Sequence, residues 1–347
     1  MDGLKMEVID LCNLAERKNV EIFLSGFDLD YEKDIDYTLV LKDEKGIVAT
    51  CSKAKNILKC FAISPNLQGE GITATLITNL IDKLFSEGIY HSFIFTKPEN
   101  VDIFTSLGFK LLYTAKKVAL LESGIYDIHS YLKKLIKKYD INTDKPRSAL
   151  VMNCNPFTNG HRYLIEKASE VSEEVLVFIV EENKSLFPFE DRYNLVKEGT
   201  RDLKNVKVIP GGEYIISSAT FPSYFLRKED DKLNSYTSID AGIFAMYFCK
   251  MLNINERFVG EEPYCKVTNA YNEALLEELK NFGIKLSIVP RKAIDGDVIS
   301  ASKVRKLIKD NDIKNIKGLV PKETFDFLNS KKGKEIVEKI KVSESPH

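Results

Sequence analysis

Residues 153–161, Asn-Cys-Asn-Pro-Phe-Thr-Asn-Gly-His, combine side chains and spacing that suit a phosphate group. An apolar run precedes them and a helix-like apolar pattern follows, which predicts a strand, a tight turn and a helix start. A helix N-terminus offers free N–H groups and a partial positive charge, and both favour an anion. Thr158 adds a hydroxyl, His161 adds a ring N–H, and Gly160 lets the backbone come close. The alternative is a capped turn followed by a surface histidine.

A second stretch, Ile-Ser-Ala-Ser-Lys-Val-Arg at 299–305, offers similar chemistry far along the chain. Ser300 and Ser302 stand where another helix begins, and Arg305 follows one turn later. Serines at a helix start are often caps and nothing more. Reaction at phosphorus, however, needs charge neutralisation and positioning more than covalent help. Two helix N-termini, an imidazole and a guanidinium would therefore suit a triphosphate.

Alternating strands and helices from residue 148 onward predict how the two stretches meet. This rhythm is typical of a doubly wound parallel sheet. Ligands of such sheets bind outside the carboxyl ends of the strands, where the strand order reverses. The apolar runs predict strands at 148–152, 174–180, 206–209, 257–260 and 285–289. Helices are expected from 160, 189–203, 238–250, 270–282 and 300–309, with a short one after Pro321.

Three loops of the same domain contain candidate binding residues, each with a plain structural alternative. The segment at 187–192 opens a helix, so Glu190 and Asp191 either cap that helix, with Arg192 paired to them, or face the site. The segment at 211–225 is rich in hydroxyls and aromatics, which favours a small-acid pocket or an ordinary long loop. The segment at 259–272 suits nucleotide or carboxylate contacts, or is a loop without a ligand. The candidate acid-binding residues are Tyr214, Ser217, Ser218 and Thr220.

The first 125 residues have an α+β rhythm instead. We expect strands at 37–42, 46–52, 57–63 and 92–96, a hairpin at 109–121, and helices at 6–17, from 73 to about 86, and 101–107. Gln68, Gly69 and Gly71 lie in the turn before the second helix. This turn either wraps a pyrophosphate in backbone N–H groups or starts the helix without a ligand.

Composition narrows the functional classes. Fifty basic and 51 acidic residues give a net charge of −1, which argues against a general nucleic-acid binder. No apolar run approaches the roughly 20 residues that span a bilayer, and the N-terminus does not resemble a signal peptide. Six scattered cysteines and four histidines make a structural zinc site improbable. We expect a cytoplasmic protein that binds neither nucleic acid nor membrane, and we name no side chain as a metal ligand.

We divide the chain into residues 1–125, a connecting helix and linker at 126–147, a second domain at 148–330, and a tail at 331–347. The paired lysines of the connecting helix, at 133–134 and 137–138, form either a solvated face or a docking surface.

These motifs resemble known families. The Thr-x-Gly-His of 158–161 resembles the HIGH motif of the nucleotidyltransferase superfamily, and 299–305 resembles the I-S-x-[ST]-x-x-R pattern that accompanies it. The first region resembles the GCN5-related N-acetyltransferase (GNAT) fold, although Thr73 stands where that family has glycine or alanine. Together with the runs at 214–225 and 259–272, nearly the whole chain resembles the citrate lyase ligase family.

The resemblance implies an ATP- and Mg²⁺-dependent ligase. ATP and acetate would form acetyl-adenylate and pyrophosphate. The acetyl group would then pass to the thiol of a phosphoribosyl-dephospho-CoA arm on the acyl carrier subunit of citrate lyase. His161, Thr158 and Arg305 would be catalytic, and Gln68, Gly69 and Gly71 would cradle the arm. The expected nucleotide contacts are Asn155, Phe157, Gly160, Ser300, Ser302 and Lys303.

Three rival functions remain open at this point. One is an adenylyltransferase that acts on a phosphorylated cofactor such as phosphopantetheine. Another is an N-acetyltransferase with a nucleotide-sensing domain, and a third is a non-catalytic nucleotide-binding protein. The long hydroxyl-rich segment at 211–225 favours the ligase, because short adenylyltransferases have no need of it.

Overall fold

The computed structural model describes residues 3–69, 71–182, 185–216, 221–226, 228–261, 266–294 and 297–343. The chain forms two compact units. The first comprises Met1–Ser130 together with Pro222–Ser235, and the second comprises Tyr131–Phe221 together with Tyr236–His347. The domain limits at 125, 147 and 330 stay a prediction.

The first unit is built on a mixed sheet. Its strands in the described part of the chain are β1 Lys5–Val8, β2 Tyr37–Asp43, β3 Gly46–Ala54, β4 Ile57–Ile63, β5 His91–Thr96, β6 Lys110–Thr114 and β7 Ala119–Gly124. Their order is β1-β2-β3-β4-β5-β7-β6. The β4–β5 pair is parallel and the other described neighbours are antiparallel. The predicted GNAT-like α+β fold is confirmed.

Helices α1 Leu14–Ser25, α2 Ile72–Ser86 and α3 Val101–Ser106 accompany this sheet, and α4 Ile128–Lys138 follows it. The four-residue spacing of Ile72, Leu76, Leu80 and Leu84 places them on one face of α2. That face packs into the apolar core of the sheet.

The helix predicted at 6–17 is wrong. Residues Lys5–Val8 form edge strand β1, paired antiparallel with β2, and α1 begins only at Leu14. Asp10 and Asn13 explain the break, because their carboxylate and amide oxygens accept backbone N–H bonds. Asp10 accepts from Cys12 N at 2.9 Å, and Asn13 caps α1 by accepting from Ala15 N at 3.1 Å.

The second unit is a parallel sheet with helices between its strands. Its strands are β8 Arg147–Met152, β9 Val175–Ile179, β10 Val206–Pro210, β11 Ile254–Gly260 and β12 Lys285–Val289. Their order is β10-β9-β8-β11-β12, and every described neighbour is parallel. The order therefore reverses between β8 and β11, which confirms the predicted Rossmann-like sheet. The short hairpin β13 Ala293–Ile294 and β14 Asp297–Val298 follows β12.

The helices of this unit are α5 Asn159–Val171, α6 Phe189–Gly199, α7 Glu229–Ile243, α8 Lys250–Leu252, α9 Lys266–Asn281, α10 Ala301–Lys309, α11 Lys322–Asn329 and α12 Lys331–Val342. Helix α7 starts at Glu229 rather than at 238 and runs into a π-helical segment, Phe244–Cys249. Stacked Phe244 and Phe248 both meet the edge of Phe178 on β9, which holds this segment on the sheet.

Residues from 331 onward are not a tail along their whole length. Ser330 caps α12 by accepting from Gly333 N at 3.1 Å. Ile336, Val337 and Ile340 are buried in the same apolar cluster as residues of α10. Apolar side chains at helical spacing thus make this segment part of the core. No helix in the described ranges is both long and apolar enough to cross a bilayer.

Candidate phosphate site

The first motif leaves β8 at the point where the strand order of the parallel sheet reverses. Thr158 is extended and caps α5, and its Oγ1 accepts a hydrogen bond from His161 N at 3.3 Å. In return, His161 Nδ1 accepts from Thr158 N at 3.1 Å. This reciprocal cap fixes the orientation of the imidazole. Because Nδ1 is an acceptor, the neutral ring carries its proton on Nε2.

The protonation state of His161 follows from its surroundings. Burial lowers the pKa of His161 to about 4, and the nearby positive charges of Arg291 and Arg305 act in the same direction. The imidazole is therefore neutral at pH 7. It offers one N–H donor without adding a charge of its own.

The second motif also begins with a capped helix. Ser300 Oγ accepts from Lys303 N at 3.2 Å, and it lies 3.1 Å from Ser302 Oγ. Arg305, on the next turn, donates from Nη1 to the backbone carbonyl of Asn155 at 2.5 Å. The structure therefore brings the two predicted motifs together.

Gly160 allows the backbones of the two motifs to come close to each other, which is not the role that the sequence predicted. A Cβ on Gly160 would stand 2.8 Å from the backbone carbonyl oxygen of Ile299, far inside van der Waals contact. We expected the missing side chain to let the backbone approach a ligand. The backbone that comes close is instead that of the second motif.

Asn155 and Phe157, both predicted to contact the nucleotide, have visible partners inside the protein. Asn155 is buried, and its Oδ1 accepts from Phe187 N at 3.1 Å. The Phe157 ring is fully buried and lies almost parallel to the His161 ring, with centroids 6.2 Å apart. Their side chains therefore support the motif from within, and direct contact with a nucleotide stays a prediction.

Arg192 resolves one of the alternatives left open by the sequence. Its guanidinium is fully buried and donates to the carbonyls of Asn153 at 2.8 Å, Val180 at 2.9 Å and Phe187 at 3.0 Å. It does not pair with the acids of its own helix start, since Asp191 pairs with Lys332 Nζ at 2.5 Å. Arg192 thus ties together the loops that follow β8 and β9.

Arg291 was missed by the sequence reasoning. It follows β12, and its Nε donates to the carbonyl of Glu261 at 2.7 Å, which turns it toward the end of β11. Its charge acts on His161, so it belongs to the same site. The available signal was a Pro-Arg pair directly after a predicted strand, at the edge where parallel sheets bind ligands.

The other predicted residues are less closely tied to this site. Tyr214 is buried, with its ring centroid 5.1 Å from that of Tyr131, while Ser217, Ser218 and Thr220 lie outside the described residues. Lys303 is half-buried in the first turn of α10. In the 259–272 loop, Asn272 Nδ2 donates to the carbonyl of Gly260 at 3.1 Å, so this side chain braces the loop.

The turn predicted to cradle a pyrophosphate lies in the first unit. Gly69 and Gly71 have φ angles of +88° and +74°, a region that glycine enters without strain. Gly71 stands at the N-cap of α2 and, as a glycine, offers no side-chain acceptor to the first N–H groups of that helix. Binding by this turn stays a prediction.

The residues of the site fit a polyphosphate better than a protein-held metal. Two capped helix starts, a neutral imidazole and two guanidinium groups present donors and positive charge. In the part of the chain that the structure describes, no three side chains of histidine, cysteine, aspartate or glutamate cluster as metal ligands would.

The sequence of this chain is similar to those of known proteins. Residues 147–328 match the family described as citrate lyase ligase C-terminal domain. The [citrate [pro-3S]-lyase] ligase of Escherichia coli (strain K12) is 39% identical over 323 residues, which cover 90% of this chain and 91% of that protein. The protein of the same name from Haemophilus influenzae is 36% identical over 316 residues, or 89% of this chain and 94% of that protein. A phosphopantetheine adenylyltransferase of Clostridium botulinum (strain Eklund 17B / Type B) is 28% identical over 161 residues, which cover 43% of this chain and 94% of that enzyme.

Proposed function

This chain belongs to the citrate lyase ligase family and is an enzyme of the ligase class, and on that premise we propose that it activates citrate lyase at the cost of ATP. The observation that carries the proposal is the contact between its two motifs. Arg305 of the second motif reaches Asn155 of the first, so two helix N-termini lie at one point of the parallel sheet. Such a point suits the polyphosphate of a nucleotide.

In the first step, a carboxylate oxygen of acetate attacks the α-phosphorus of ATP. A new oxygen–phosphorus bond forms, the bond to the bridging β-phosphate oxygen breaks, and pyrophosphate leaves with that electron pair. The products are acetyl-adenylate and pyrophosphate. This chemistry asks the protein for alignment and for stabilisation of developing negative charge.

His161 supplies a donor to the α-phosphate. Its Nδ1 is held by Thr158 N, so Nε2–H points away from the cap and donates to a phosphate oxygen. The imidazole stays neutral and does not need to release a proton during the step. Thr158 holds the ring and offers its hydroxyl to the same phosphate.

Ser300, Ser302 and Arg305 hold the β- and γ-phosphates, with Arg291 as a second guanidinium. Because these donors are already fixed in place, they need little reorganisation when negative charge develops on the leaving pyrophosphate. Mg²⁺, bound through the phosphates, would neutralise further charge when present. Lys303 and Gly160 complete the contacts that we assign to the nucleotide.

In the second step, the thiol of the carrier's prosthetic arm attacks the acetyl carbonyl. The carbon–sulfur bond forms, AMP leaves with the carboxyl oxygen that joined it to the acetyl group, and the thiol proton passes to solvent. No thiol of this chain is required. Burial raises the pKa of Cys154 to about 12, so this neighbouring cysteine stays a neutral thiol.

We also assign the first unit a binding role in the second step. We assign to Gln68, Gly69 and Gly71 the pyrophosphate portion of the arm, because Gly71 gives the first N–H groups of α2 no side-chain acceptor. Tyr214, Ser217, Ser218 and Thr220 are assigned to acetate. We place the reaction in the cytoplasm, because the described cysteines are free thiols.

One experiment tests the first step directly. The protein is given ATP, labelled pyrophosphate and one short acid at a time, and label entering ATP is measured. We expect exchange that depends on acetate, followed by loss of the acetyl group to the carrier subunit when it is added. Exchange that is independent of any acid would refute acyl adenylation.

A second candidate is an adenylyltransferase, because the Clostridium botulinum enzyme matches over 43% of this chain. With phosphopantetheine as acceptor, that reaction joins AMP to the acceptor and leaves a stable dinucleotide. Chromatography of the products separates the two functions, since the ligase releases free AMP.

A further inference from the structure

Arg257 is a buried cation with unused hydrogen-bond donors. It lies on β11 of the second unit and is 2% exposed. Its Nε and Nη1 atoms are buried and have no hydrogen-bond acceptor in the part of the chain that the structure describes. These two atoms carry three N–H donors between them. Burying donors without acceptors is costly, so their presence in a native protein calls for an explanation.

The negative charge that faces Arg257 is only loosely paired with it. Nη2 of Arg257 donates to Oδ2 of buried Asp240 at 3.4 Å, well beyond the roughly 2.7–2.9 Å of a charge-assisted hydrogen bond. The same carboxylate oxygen accepts from the Tyr271 hydroxyl at 2.8 Å, and that hydroxyl accepts from Arg257 Nη2 at 3.3 Å. Asp240 is therefore held mainly by Tyr271, and the guanidinium can receive a second anion.

Aromatic side chains pack around this polar cluster. The guanidinium carbon of Arg257 lies 4.7 Å from the centroid of the Phe244 ring, and Tyr236 stacks on Tyr271 with centroids 5.6 Å apart. The Tyr236 hydroxyl donates to the carbonyl of Ile216, in the loop after β10, at 3.4 Å. Tyr236 and Tyr271 are partly exposed residues, so the cluster extends from the buried guanidinium to the surface of the second unit.

The cluster lies close to the ligand-binding edge of the parallel sheet. Asn272, which follows Tyr271, donates from Nδ2 to the carbonyl of Gly260 at 3.1 Å, and Gly260 is the last residue of β11. Tyr271 is therefore close to the carboxyl end of β11. Strand β11 is the neighbour of β8, which the first phosphate motif follows. Ligands of such sheets bind at this edge.

We propose that Arg257 determines the specificity for the acid, and that its unused Nε and Nη1 donors bind the carboxylate of a short acid. The proposal rests on the proposed function, in which a carboxylate attacks ATP. A carboxylate has two oxygens, so one accepts from Arg257 and the other is left for the attack on the α-phosphorus. The site consists of Asp240, Arg257, Tyr236 and Tyr271, all of them in the second unit.

The test measures acetate binding separately from catalysis, in the full-length protein. Acetate labelled with ¹³C at its carboxyl carbon is titrated and followed by NMR. An ATP analogue with a methylene group between its α- and β-phosphates is present, because it cannot release pyrophosphate. Arg257→Lys keeps the charge but removes the Nε and Nη1 donors. We expect its Kd for acetate to rise roughly tenfold or more, the scale of one lost hydrogen bond to a charged group.

Arg147→Lys is the matched control for loss of a buried guanidinium. Arg147 is also 2% exposed, and its Nε and Nη1 also lack hydrogen-bond acceptors among the described residues. It differs in two respects. Its Nη1 lies 3.6 Å from the Glu174 carboxylate, and it is the first residue of β8, at the end of the strand away from the ligand-binding edge. This variant should bind acetate as the wild type does.

Asp240→Asn should change acetate binding in the opposite direction. The substitution removes the negative charge that competes for Arg257, while an oxygen remains to accept from the Tyr271 hydroxyl. We expect the Kd for acetate to fall roughly threefold or more, because a like charge near the anion is lost. A merely structural ion pair would give unchanged or weaker binding. Circular dichroism checks folding, and this variant decides the matter if Arg257→Lys does not fold.

Several outcomes overturn the proposal. One is an unchanged acetate affinity in folded Arg257→Lys, which would leave the unused donors to an internal water molecule. Others are unchanged or weaker binding by Asp240→Asn, no acetate binding by the wild type, and equal binding of neutral acetamide.

Failure of the proposed function gives a different result. If the wild type binds acetate through Arg257 but shows no acetate-dependent pyrophosphate exchange, acyl adenylation is wrong and Arg257 remains a carboxylate site.

Discussion

Arg305 on α10 donates from Nη1 to the backbone carbonyl of Asn155, 2.5 Å away, although 150 positions separate the two residues. Beside this bond, the carbonyl of Ile299 lies where a Cβ on Gly160 would need to be. The starts of α5 and α10 are thus held together by a hydrogen bond and by a close backbone contact. Changes at either contact should affect phosphate binding.

Gly160→Ala should separate the two motifs. The new Cβ would stand 2.8 Å from a backbone oxygen, which cannot rotate away as a flexible side chain can. We expect a loss of about 1–3 kcal/mol in the free energy of unfolding, the usual cost of overpacking, and a higher KM for ATP. Urea unfolding and initial rates of pyrophosphate exchange measure the two effects.

Gly318→Ala is the matched control, because a Cβ there meets no heavy atom within 4 Å. Its stability and KM should match the wild type. If Gly160→Ala behaves like this control, the close approach to Ile299 has no energetic importance.

His161→Ala should lower the rate of acetate-dependent pyrophosphate exchange by about 100-fold or more, the scale of one preorganised donor to developing charge. The exposed His129 on α4 provides the control, since His129→Ala removes an imidazole far from either motif in sequence. Circular dichroism checks that both variants fold. A folded His161→Ala enzyme with near-wild-type exchange would remove His161 from the proposed mechanism.

Titration of His161 should not be visible in the rate near neutral pH. Its folded-state pKa is about 4, below the ordinary value, so the donor Nε2–H persists on a neutral ring from pH 8 down to about 5. We expect kcat/KM for ATP to show no inflection from this residue across that range. An acid limb with a midpoint near 6.5 that vanishes in His161→Asn would contradict the neutral imidazole.

The lowered pKa of His161 also makes the free energy of unfolding depend on pH. Since the folded-state pKa is lowered, the unfolded chain takes up the proton first as the pH falls. The contribution of His161 to stability is therefore full above about pH 6.5 and is lost progressively toward pH 4. Unfolding free energies at pH 7 and 5 should differ more in the wild type than in His161→Asn, and equal differences would contradict the link.

The local sequence predicted most of the fold and both motifs. Apolar periodicity predicted the strands and helices, and the residue types predicted the motifs, because the chemistry of each motif lies within nine consecutive residues or fewer. It failed at β1 and α1, where a short edge strand and polar caps at Asp10 and Asn13 outweigh the apolar spacing of a helix. A strand of four residues carries too few apolar positions to reveal its period.

The other features that the sequence did not predict depend on contacts between segments that are far apart in the chain. Arg192 finds its carbonyl partners after two different strands, and Arg291 joins the site only because β12 lies beside β11. The packing of Pro222–Ser235 in the first unit is non-local in the same sense. This packing also makes deletion of residues 1–125 a poor test of the adenylation step, since it would leave that segment without its partners.

Cys154→Ala should retain both adenylation and transfer. The thiol is 1% exposed, and burial raises its pKa to about 12, so it offers no thiolate near neutral pH. The φ of +55° at position 154 is equally unfavourable for cysteine and alanine, so the backbone should not contribute to a difference in stability. Only the small loss of side-chain volume should lower the free energy of unfolding, by about 1 kcal/mol. Acetylation of the carrier by Cys154→Ala is measured beside Cys12→Ala, whose thiol is exposed. Loss of transfer in the first variant alone would make Cys154 an acyl carrier.

Arg192→Met should destabilise the second unit strongly. The substitution keeps much of the side-chain volume but leaves the buried carbonyls of Asn153, Val180 and Phe187 without the donor that Arg192 supplies, and it removes the buried cation 3.8 Å from the buried carboxylate of Glu182. Removing one partner from a buried charged network typically costs about 3–5 kcal/mol. Arg201→Met is the control, because Arg201 is exposed and pairs loosely with Glu198 at 3.8 Å, so a change of about 0.5 kcal/mol or less is expected. Urea unfolding of both variants decides the point. Equal stabilities would mean that the loops after β8 and β9 are held by their apolar contacts, and that the orientation of the phosphate site does not depend on Arg192.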